Sequence, residues 1–595
     1  MCGIAGFFGE YNPDLIKNMT DSLYRRGPDE EGFFRDEFCS LGIRRLSIID
    51  LKSGSQPYFS EDKRYVCVFN GEIYNFKELR NELEKKGHRF KGFSDGEILP
   101  HLYEEHKEGA FSKLRGMFAF ALYDKTEKKL ILARDHFGIK PLFYFIDGNK
   151  IYFASEIKAF KKINFLDRKI DSRYLNNYFY LGYSPGNSSV YEKVKKLPPA
   201  SILIFSHGKE NIIKYWSFPE TQVKKIDQNF LDETSFILEQ AVKEQTVSDV
   251  PLGIFLSGGM DSSSILYFAG AKGKNKVKTF TASFGEKNYD ESEKARLTAS
   301  YFNSENVSIK IVPSPKDLID FISSGLDQPF ADSSILANYL VSKEAAKQVK
   351  TALSGLGGDE VFAGYPRYLG IRMAKYLNKM PKNLIKTFSL ISTFIPEIKS
   401  SSNWPGRIKR LFKGIEREEF YGYWLSQIKD NKIFFKDIKP SFVGALEAEN
   451  PAKFEFENYL EGDLLYLTDI SSMYASLELR VPFLDIRLVE KIASLPLNLK
   501  TKSFEQKYIL KKIMKDLLPS HCFKGKKGFQ IPLSRWFCKE LKEFAFDLLY
   551  SSKEYFYEKK SALELLENHC KGKTDNSDLI YSLCVWELWI RNEKK

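Results

Sequence analysis

Leu256-Ser257-Gly258-Gly259-Met260-Asp261-Ser262-Ser263 is the stretch whose reading decides the fold. It follows the apolar run Leu252 to Leu256 and precedes an apolar-patterned segment, Ser264 to Ala269, so the spacing predicts strand, glycine-rich turn and helix. Two adjacent glycines let the backbone turn tightly and bring its N–H groups close to a ligand. The helix start behind them carries partial positive charge and unpaired donors, which suits phosphate. Ser257, Ser262 and Ser263 add hydroxyl donors, and Asp261 is of the type that holds Mg²⁺ between phosphates. A Walker-type loop would carry a lysine for the β- and γ-phosphates; this loop has none. A lysine-free loop that grips pyrophosphate suits attack at the α-phosphate, with pyrophosphate leaving.

Outward from this loop, strand-like and helix-like segments alternate. Val277 to Phe284 reads as a strand, Tyr289 to Ala299 as a charged helix, and Val307 to Val312 as a strand. A helix around Leu336 and Leu340 leads to the strand Thr351-Ala352-Leu353. Such alternation predicts a doubly wound parallel sheet with ligands at the carboxyl ends of its strands. The loops after Leu256, Phe284 and Leu353 are therefore expected to face one site. The third is Ser354-Gly355-Leu356-Gly357-Gly358-Asp359-Glu360, glycine-rich with an acidic pair. Ile237, Leu238, Ala241 and Val242 mark one face of a preceding helix.

At the other end, Cys2 follows the initiator methionine. If Met1 is removed, Cys2 carries a thiol and a free α-amine, and the amine is a plausible base for the thiol. Cys2 stands with Arg26-Gly27-Pro28-Asp29, Arg45-Leu46-Ser47-Ile48-Ile49-Asp50, Asn70-Gly71-Glu72-Ile73-Tyr74-Asn75 and Ser94-Asp95-Gly96-Glu97. We read 45–50 as a short strand, Tyr65 to Phe69 as a strand before the asparagine, and Met117 to Tyr123 and Leu130 to Ala133 as buried strands. A glutamine amidase needs a nucleophile, an oxyanion hole and groups for the substrate's α-carboxylate and α-amine. Cys2, Asn70 with the Gly71 N–H, Arg45 and Asp95 are of those types.

With 595 residues, the chain is too long for one domain. Its excess of 90 Lys+Arg over 78 Asp+Glu is spread along this length and makes no case for nucleic acid, though it favours anionic substrates such as ATP. Seven cysteines without C-x-x-C pairs argue for reduced thiols in a cytoplasmic protein, and against a disulfide framework or a zinc site. No signal peptide or membrane span is expected.

Three resemblances follow from these residues. Ser257 to Ser263 resemble the S-G-G-x-D-S pyrophosphate loop of the ATP-pyrophosphatase superfamily. M-C-G-I-A-G, R-G-P-D, R-L-S-I-I-D, N-G-E-I-Y-N and F-A-S-E-I-K resemble the class II glutamine amidotransferase domain, an N-terminal-nucleophile αββα sandwich. The acidic loop, Tyr289-Asp290-Glu291, Asp327-Gln328-Pro329, Ser476 to Asp485, Lys507-Tyr508-Ile509-Leu510 and Lys527-Gly528-Phe529 follow the order found in glutamine-hydrolysing asparagine synthetases.

The last resemblance implies an ATP-dependent amide ligase of four parts: a glutaminase domain (1–215), a linker (216–229), an ATP-pyrophosphatase domain with helical additions (230–545) and a helical extension (546–595). It implies Cys2, Asn70, Gly71 and Lys507 as catalytic groups, and Arg45, Asn70, Glu72 and Asp95 as the glutamine site. Leu256, Ser257, Gly258, Gly259, Asp261, Ser262, Ser263, Ser283, Ser354 and Gly355 are implied for ATP and pyrophosphate, and Asp261 and Asp359 for Mg²⁺. Substrates would be glutamine, aspartate and ATP, with ammonia passing between sites inside the protein; a homodimer is the candidate assembly. Three departures stand out. Arg25 and Ile43 replace frequent histidines. Leu356 replaces a frequent glutamate and leaves open another carboxylate acceptor, such as a sugar acid. A glutaminase-only or non-catalytic protein is the remaining alternative. Arg134 with Asp135, and Glu478 with Arg480, are read as structural ion pairs. Arg407 to Arg417 is a basic cluster on an expected solvated helix face, and 366–460 carry no motif.

Overall fold

The computed structural model describes residues 2–593 except 224, 271–276, 287–289, 313, 378, 394–403, 417–423, 428–450, 525–530 and 554–555. Tyr289, Lys527-Gly528-Phe529, Arg417 and the side chains of Arg407 and Arg410 lie outside the described residues.

Two six-stranded antiparallel sheets form the amino-terminal part. The first has the order β10 (Lys195–Lys196), β8 (Phe143–Asp147), β9 (Lys150–Ala154), β1 (Cys2–Phe8), β3 (Cys39–Arg45), β2 (Glu30–Arg35). The second runs β12 (Lys209–Lys214), β11 (Ser201–Ser206), β7 (Lys129–Arg134), β6 (Gly116–Asp124), β5 (Tyr65–Ile73), β4 (Tyr58–Phe59). Their inner faces share one apolar cluster: Ile4 and Leu41 of the first sheet meet Val68, Ala121 and Leu132 of the second. On the outside, helix Pro13–Asp21 packs on the first sheet, and helices Phe76–Lys85 and Ile98–His106 on the second. This is the expected αββα sandwich. Near-continuous burial along β5 and β6 follows, because both faces of their sheet are covered.

Two expected elements differ. The segment 46–50 is not a strand, since β3 ends at Arg45. Strand β5 does not stop at Phe69 but carries Asn70, Gly71 and Glu72 within it, paired to β6 through Ile73↔Gly116. Apolar alternation ends at Phe69, but backbone pairing does not require apolar side chains. Gly71 is demanded here, since a Cβ would lie 2.0 Å from the Met117 carbonyl oxygen.

The second part is built on a five-stranded, all-parallel sheet, β15 (Glu305–Lys310), β14 (Lys278–Ser283), β13 (Leu252–Phe255), β16 (Thr351–Leu353), β17 (Glu478–Arg480). The chain winds one way from β13 to β15 and the other way to β17. The switch point therefore lies between β13 and β16, whose carboxyl ends carry the two glycine-rich loops. Helix Ser577–Glu593 is buried through most of its length, with Trp586 and Trp589 among its core residues.

Arg134 and Asp135 are not paired with each other, contrary to the sequence reading. Asp135 accepts the N–H groups of Phe137, Ile139 and Lys140. Arg134 donates to the carbonyls of Gly138, Lys140 and Leu197 and meets Glu461 at 3.0 Å. Glu461 also takes Lys196 at 2.8 Å. Two buried cations thus depend on one buried carboxylate. Glu461→Ala is expected to cost about 3–5 kcal/mol, because it leaves both cations uncompensated. A denaturant unfolding midpoint equal to that of the parent chain would refute this.

Candidate functional site

Strand β1 carries Cys2 into the gap between the two antiparallel sheets. The Cys2 backbone N–H donates to Asn70 Oδ1 at 2.9 Å, and its carbonyl accepts from Arg26 Nε at 3.0 Å. Gln56 Nε2 lies 3.9 Å from the Cys2 sulfur, while Gln56 is fixed by the N–H and C=O of Phe69. Burial pushes the Cys2 thiol up; the chain's amino terminus, Arg45 and the Leu46 N–H oppose that shift. Asn70 Nδ2 is a buried donor without a hydrogen-bond partner. Such a group is costly unless a ligand takes it up.

Arg45, at the end of β3, donates to Glu30 at 2.9 Å and to the Ile49 and Asp50 carbonyls. Asp95 accepts the Ile73 N–H at 2.8 Å, and burial pushes its carboxyl up to about 6. Glu72 turns toward the parallel sheet, where one oxygen lies 3.0 Å from the Arg480 guanidinium. Burial raises the Glu72 carboxyl, and Arg480 counters it. Arg480 also holds Glu478 at 2.6 Å, as the sequence reading expected. Burial works against ionised Glu478, but the amino terminus, Arg480 and Lys140 hold it below its ordinary value. Arg26 reaches Glu156 at 2.9 Å and Asp469 at 2.7 Å. The thiol site is therefore bonded through Arg26 and Glu72 to residues that precede and form β17.

The two unusual positions have different fates. Ile43 is a core residue of β3, opposite Ile4 and Gly32. Arg25 lies over the Tyr474 ring at 5.4 Å, and its carbonyl accepts from Ser476 Oγ at 2.6 Å. A histidine is thus replaced by an aliphatic contact in one case and a cation–π contact in the other.

At the parallel sheet, Leu256 closes β13: its N–H donates to the Phe280 carbonyl, and its C=O accepts from Thr281 Oγ1. Gly258 adopts φ +71°, and a Cβ there would meet the Lys294 backbone at 2.6 Å, so the turn requires glycine. Ser257 and Ser262 hydroxyls lie 3.1 Å apart, and Ser257 Oγ accepts the Gly259 N–H. Ser263 is turned elsewhere, with its hydroxyl accepting from the Cys522 thiol at 3.4 Å. Ser283, at the end of β14, donates to Asp290 at 2.8 Å. Ser354 Oγ accepts the Leu356 N–H, and a Cβ at Gly355 would lie 2.9 Å from the Ser262 nitrogen. The first and third loops are thus in van der Waals contact.

Lys507 joins them. Its Nζ lies 2.6 and 2.5 Å from the two oxygens of Asp261 and 2.6 Å from Asp359 Oδ1. It starts helix Tyr508–Met514 with φ +53°, a costly conformation for a residue other than glycine. The two carboxylates converge as hard oxygen donors and so fit Mg²⁺. Glu360, which the sequence reading left without a role, is buried beside Asp359 and hydrogen-bonded by Tyr365; burial and Asp359 push its carboxyl up to about 7. Gln56 was also missed: it stands alone before a proline, outside every motif. Leu356 packs against the apolar cluster that contains Leu353, Leu484 and Leu256.

The glutamine amidotransferase domain model matches residues 1–216, and the asparagine synthase model matches 235–591. The chain belongs to the asparagine synthase family. It is 34% identical to asparagine synthetase [glutamine-hydrolyzing] 1 of Bacillus subtilis (strain 168), covering 100% of this chain and 98% of that one. A putative asparagine synthetase [glutamine-hydrolyzing] of Mycobacterium tuberculosis (strain ATCC 25618 / H37Rv) is 31% identical over 99% of this chain and 95% of its own. Amidase chry2 of Gibberella zeae is 27% identical over 90% of each. The two matches place a glutamine amidotransferase domain and an asparagine synthase domain in one enzyme. Among the described residues no helix is long and apolar enough to cross a membrane.

Asp95 generates a pH test. Its folded value near 6 exceeds the ordinary value near 4, so the folded state favours the neutral acid. The associated stability is full below pH ~4 and lost as pH rises through ~6. Asp95→Asn removes that loss, on the order of 3 kcal/mol at pH 7. Urea midpoints of variant and parent are expected to differ more at pH 7 than at pH 4. Equal differences at both would place the titration elsewhere.

Proposed function

We propose that this protein is a glutamine-dependent asparagine synthetase, with residues 1–215 as the glutaminase and 230–545 as the ATP site, joined by 216–229 and followed by the helical extension 546–595. The observation that carries this reading is Lys507, held between Asp261 and Asp359 at the switch point of a parallel sheet whose glycine loop has no lysine of its own.

In this reading the Cys2 sulfur attacks the glutamine carboxamide carbon. The resting thiol is kept neutral by burial, so the α-amine freed by loss of Met1 takes the proton. Asn70 Nδ2, a donor without a protein partner, and the Gly71 N–H receive the oxyanion. Arg45 binds the substrate carboxylate bidentately, and Asp95 and Glu72 its amine. The amine returns that proton to the amide nitrogen, which leaves as ammonia, and water converts the thioester to glutamate and the free thiol.

At the second site the β-carboxylate of aspartate attacks the α-phosphorus of ATP and pyrophosphate leaves. The hydroxyls of Ser257 and Ser262 and the N–H groups of Ser257 to Ser263 take the pyrophosphate; Leu256, Ser283, Ser354 and Gly355 surround the adenosine. Lys507 neutralises the departing charge, and Asp261 and Asp359 would hold Mg²⁺, which offsets charge on the phosphates. Ammonia attacks the acyl carbon, and AMP leaves. Between the sites, Leu46, Ile48 and Met117 share one apolar cluster with Leu256, Leu353 and Leu484. An apolar interior admits neutral ammonia and disfavours ammonium. The reading takes the protein as cytoplasmic and as a candidate homodimer.

A second reading, a different carboxylate acceptor, is favoured by Leu356, which cannot transfer a proton. Pyrophosphate release across a panel of carboxylates, with product mass, separates the two: aspartate-dependent release with asparagine formed supports the first. Release with another acid and not with aspartate overturns it.

Two variants test the division of labour. Cys2→Ala is expected to abolish glutamine-dependent amide formation and leave the ammonia-dependent rate unchanged; loss of both refutes separate sites. Asp261→Asn is expected to lower pyrophosphate release by roughly 10²–10³-fold while glutamine hydrolysis persists. Undiminished release would remove Asp261 from the second site.

A further inference from the structure

Far along the second antiparallel sheet from the thiol, three elements converge on a histidine pair. Glu61 lies in the turn between β4 and β5. His88 follows helix Phe76–Lys85. His101 and Glu104 lie three residues apart on helix Ile98–His106 and so share a face. One ligand atom from each of Glu61, His88, His101 and Glu104 falls within 4.8 Å of all the others.

The spacing inside this group is narrow. His88 Nδ1 is 3.3 Å from His101 Nδ1 and 3.3 Å from Glu61 Oε1, and His101 Nδ1 is 3.0 Å from Glu61 Oε2. A tetrahedral zinc ion with bonds of ~2.1 Å separates its ligands by ~3.4 Å, close to the spacing of the two ring nitrogens and of each nitrogen from its own Glu61 oxygen. The outer ring nitrogen of His88 supports the same end. His88 Nε2 lies 3.2 Å from Glu105 Oε1, a carboxylate that accepts its proton. With Nε2 turned to that carboxylate, Nδ1 is the ring nitrogen that faces the cluster. A histidine fixed by a carboxylate on its far nitrogen is the usual outer arrangement of a metal site. His101 is buried against Phe90, at 4.6 Å between rings, which sets its plane.

We propose that Glu61, His88, His101 and Glu104 form a structural site for a divalent transition metal, zinc by its nitrogen and oxygen donor set. Bound there, the ion ties the β4–β5 turn to the helix that follows Asp95–Glu97. This proposal departs from the expectation against a zinc site, which rested on cysteine spacing and did not consider histidine. No step of glutamine or ATP chemistry passes through these residues.

The test uses the full-length chain, freed of metal by chelator and titrated with Co²⁺ and then Zn²⁺. One Co²⁺ per chain is expected, with tetrahedral d–d absorption and without the charge-transfer band of cysteine ligation. Zinc should displace it and raise the melting temperature. In His88→Gln the d–d band and the zinc-dependent rise are lost, and affinity falls at least tenfold, while glutamine hydrolysis is retained. Glu104→Gln gives a second variant with the same expectation should His88→Gln fold poorly. A parent chain without the d–d band, or variants that bind cobalt as tightly as the parent, would overturn the proposal, leaving a hydrogen-bonded histidine–carboxylate cluster only.

Discussion

Arg480 is the residue on which the joined arrangement depends. It ends β17, is fully buried, and holds Glu478 of its own strand together with Glu72 of β5. Its remaining donor group reaches the Gln245 and Val247 carbonyls. A guanidinium taken out of water is tolerable only when opposite charge is adjacent; here Nε and one amino group are hydrogen-bonded, and the other amino group lies against the Glu72 carboxylate. These conditions fix three backbones at once: the strand that carries Asn70, the outer strand of the parallel sheet, and the helix Gln228–Gln245 that precedes β13.

Arg26 extends the same logic to Cys2. It spends Nε on the Cys2 carbonyl and the rest of its fork on Glu156 and Asp469, with Lys140 adding a second cation to Asp469. Burial alone would raise the Asp469 carboxyl, yet Arg26 and Lys140 hold it below its ordinary value. Removal of Asp469 would take from Lys140 its ion-pair partner and leave Arg26 with Glu156 alone, so that loss falls on the interface. A shift of the parallel sheet against the antiparallel pair would therefore move the carbonyl of Cys2. In this way the geometry of the thiol depends on residues several hundred positions later in the chain.

Much of the fold was legible because its cues are local. Apolar runs bounded by Ser257-Gly258-Gly259 and by Ser354-Gly355 marked β13 and β16, and alternation of strand and helix implied the parallel sheet. What escaped depends on contacts at long sequence separation. Asn70 to Ile73 belong to β5 because β6 pairs with them, although their own polarity suggests a loop. Arg134 and Asp135 looked like mutual partners because they are adjacent, but a buried strand end surrounded by unpaired backbone groups uses each for a separate purpose. Gln56 and the histidine cluster share one trait: their partners are set by tertiary packing, so no spacing along the chain announces them.

The state of Lys507 bears on how the second site begins its work. Its ammonium lies among Asp261 and Asp359 oxygens, on a residue whose left-handed backbone conformation is costly for lysine. Two carboxylates facing one another across a glycine turn would repel, and would also repel phosphate, if no cation lay between them. The lysine thus keeps the two loops together before nucleotide arrives. Under the proposed function, the oxygens of a triphosphate in the turn would compete with the carboxylates for the same ammonium and leave those carboxylates to a metal. A lysine within the glycine loop itself could not do this, since it would be bound to the loop's own geometry. Carried on a separate helix, it would, under the same proposal, reach a leaving pyrophosphate without any change in the strands, which is how a loop lacking lysine could still serve attack at the α-phosphate.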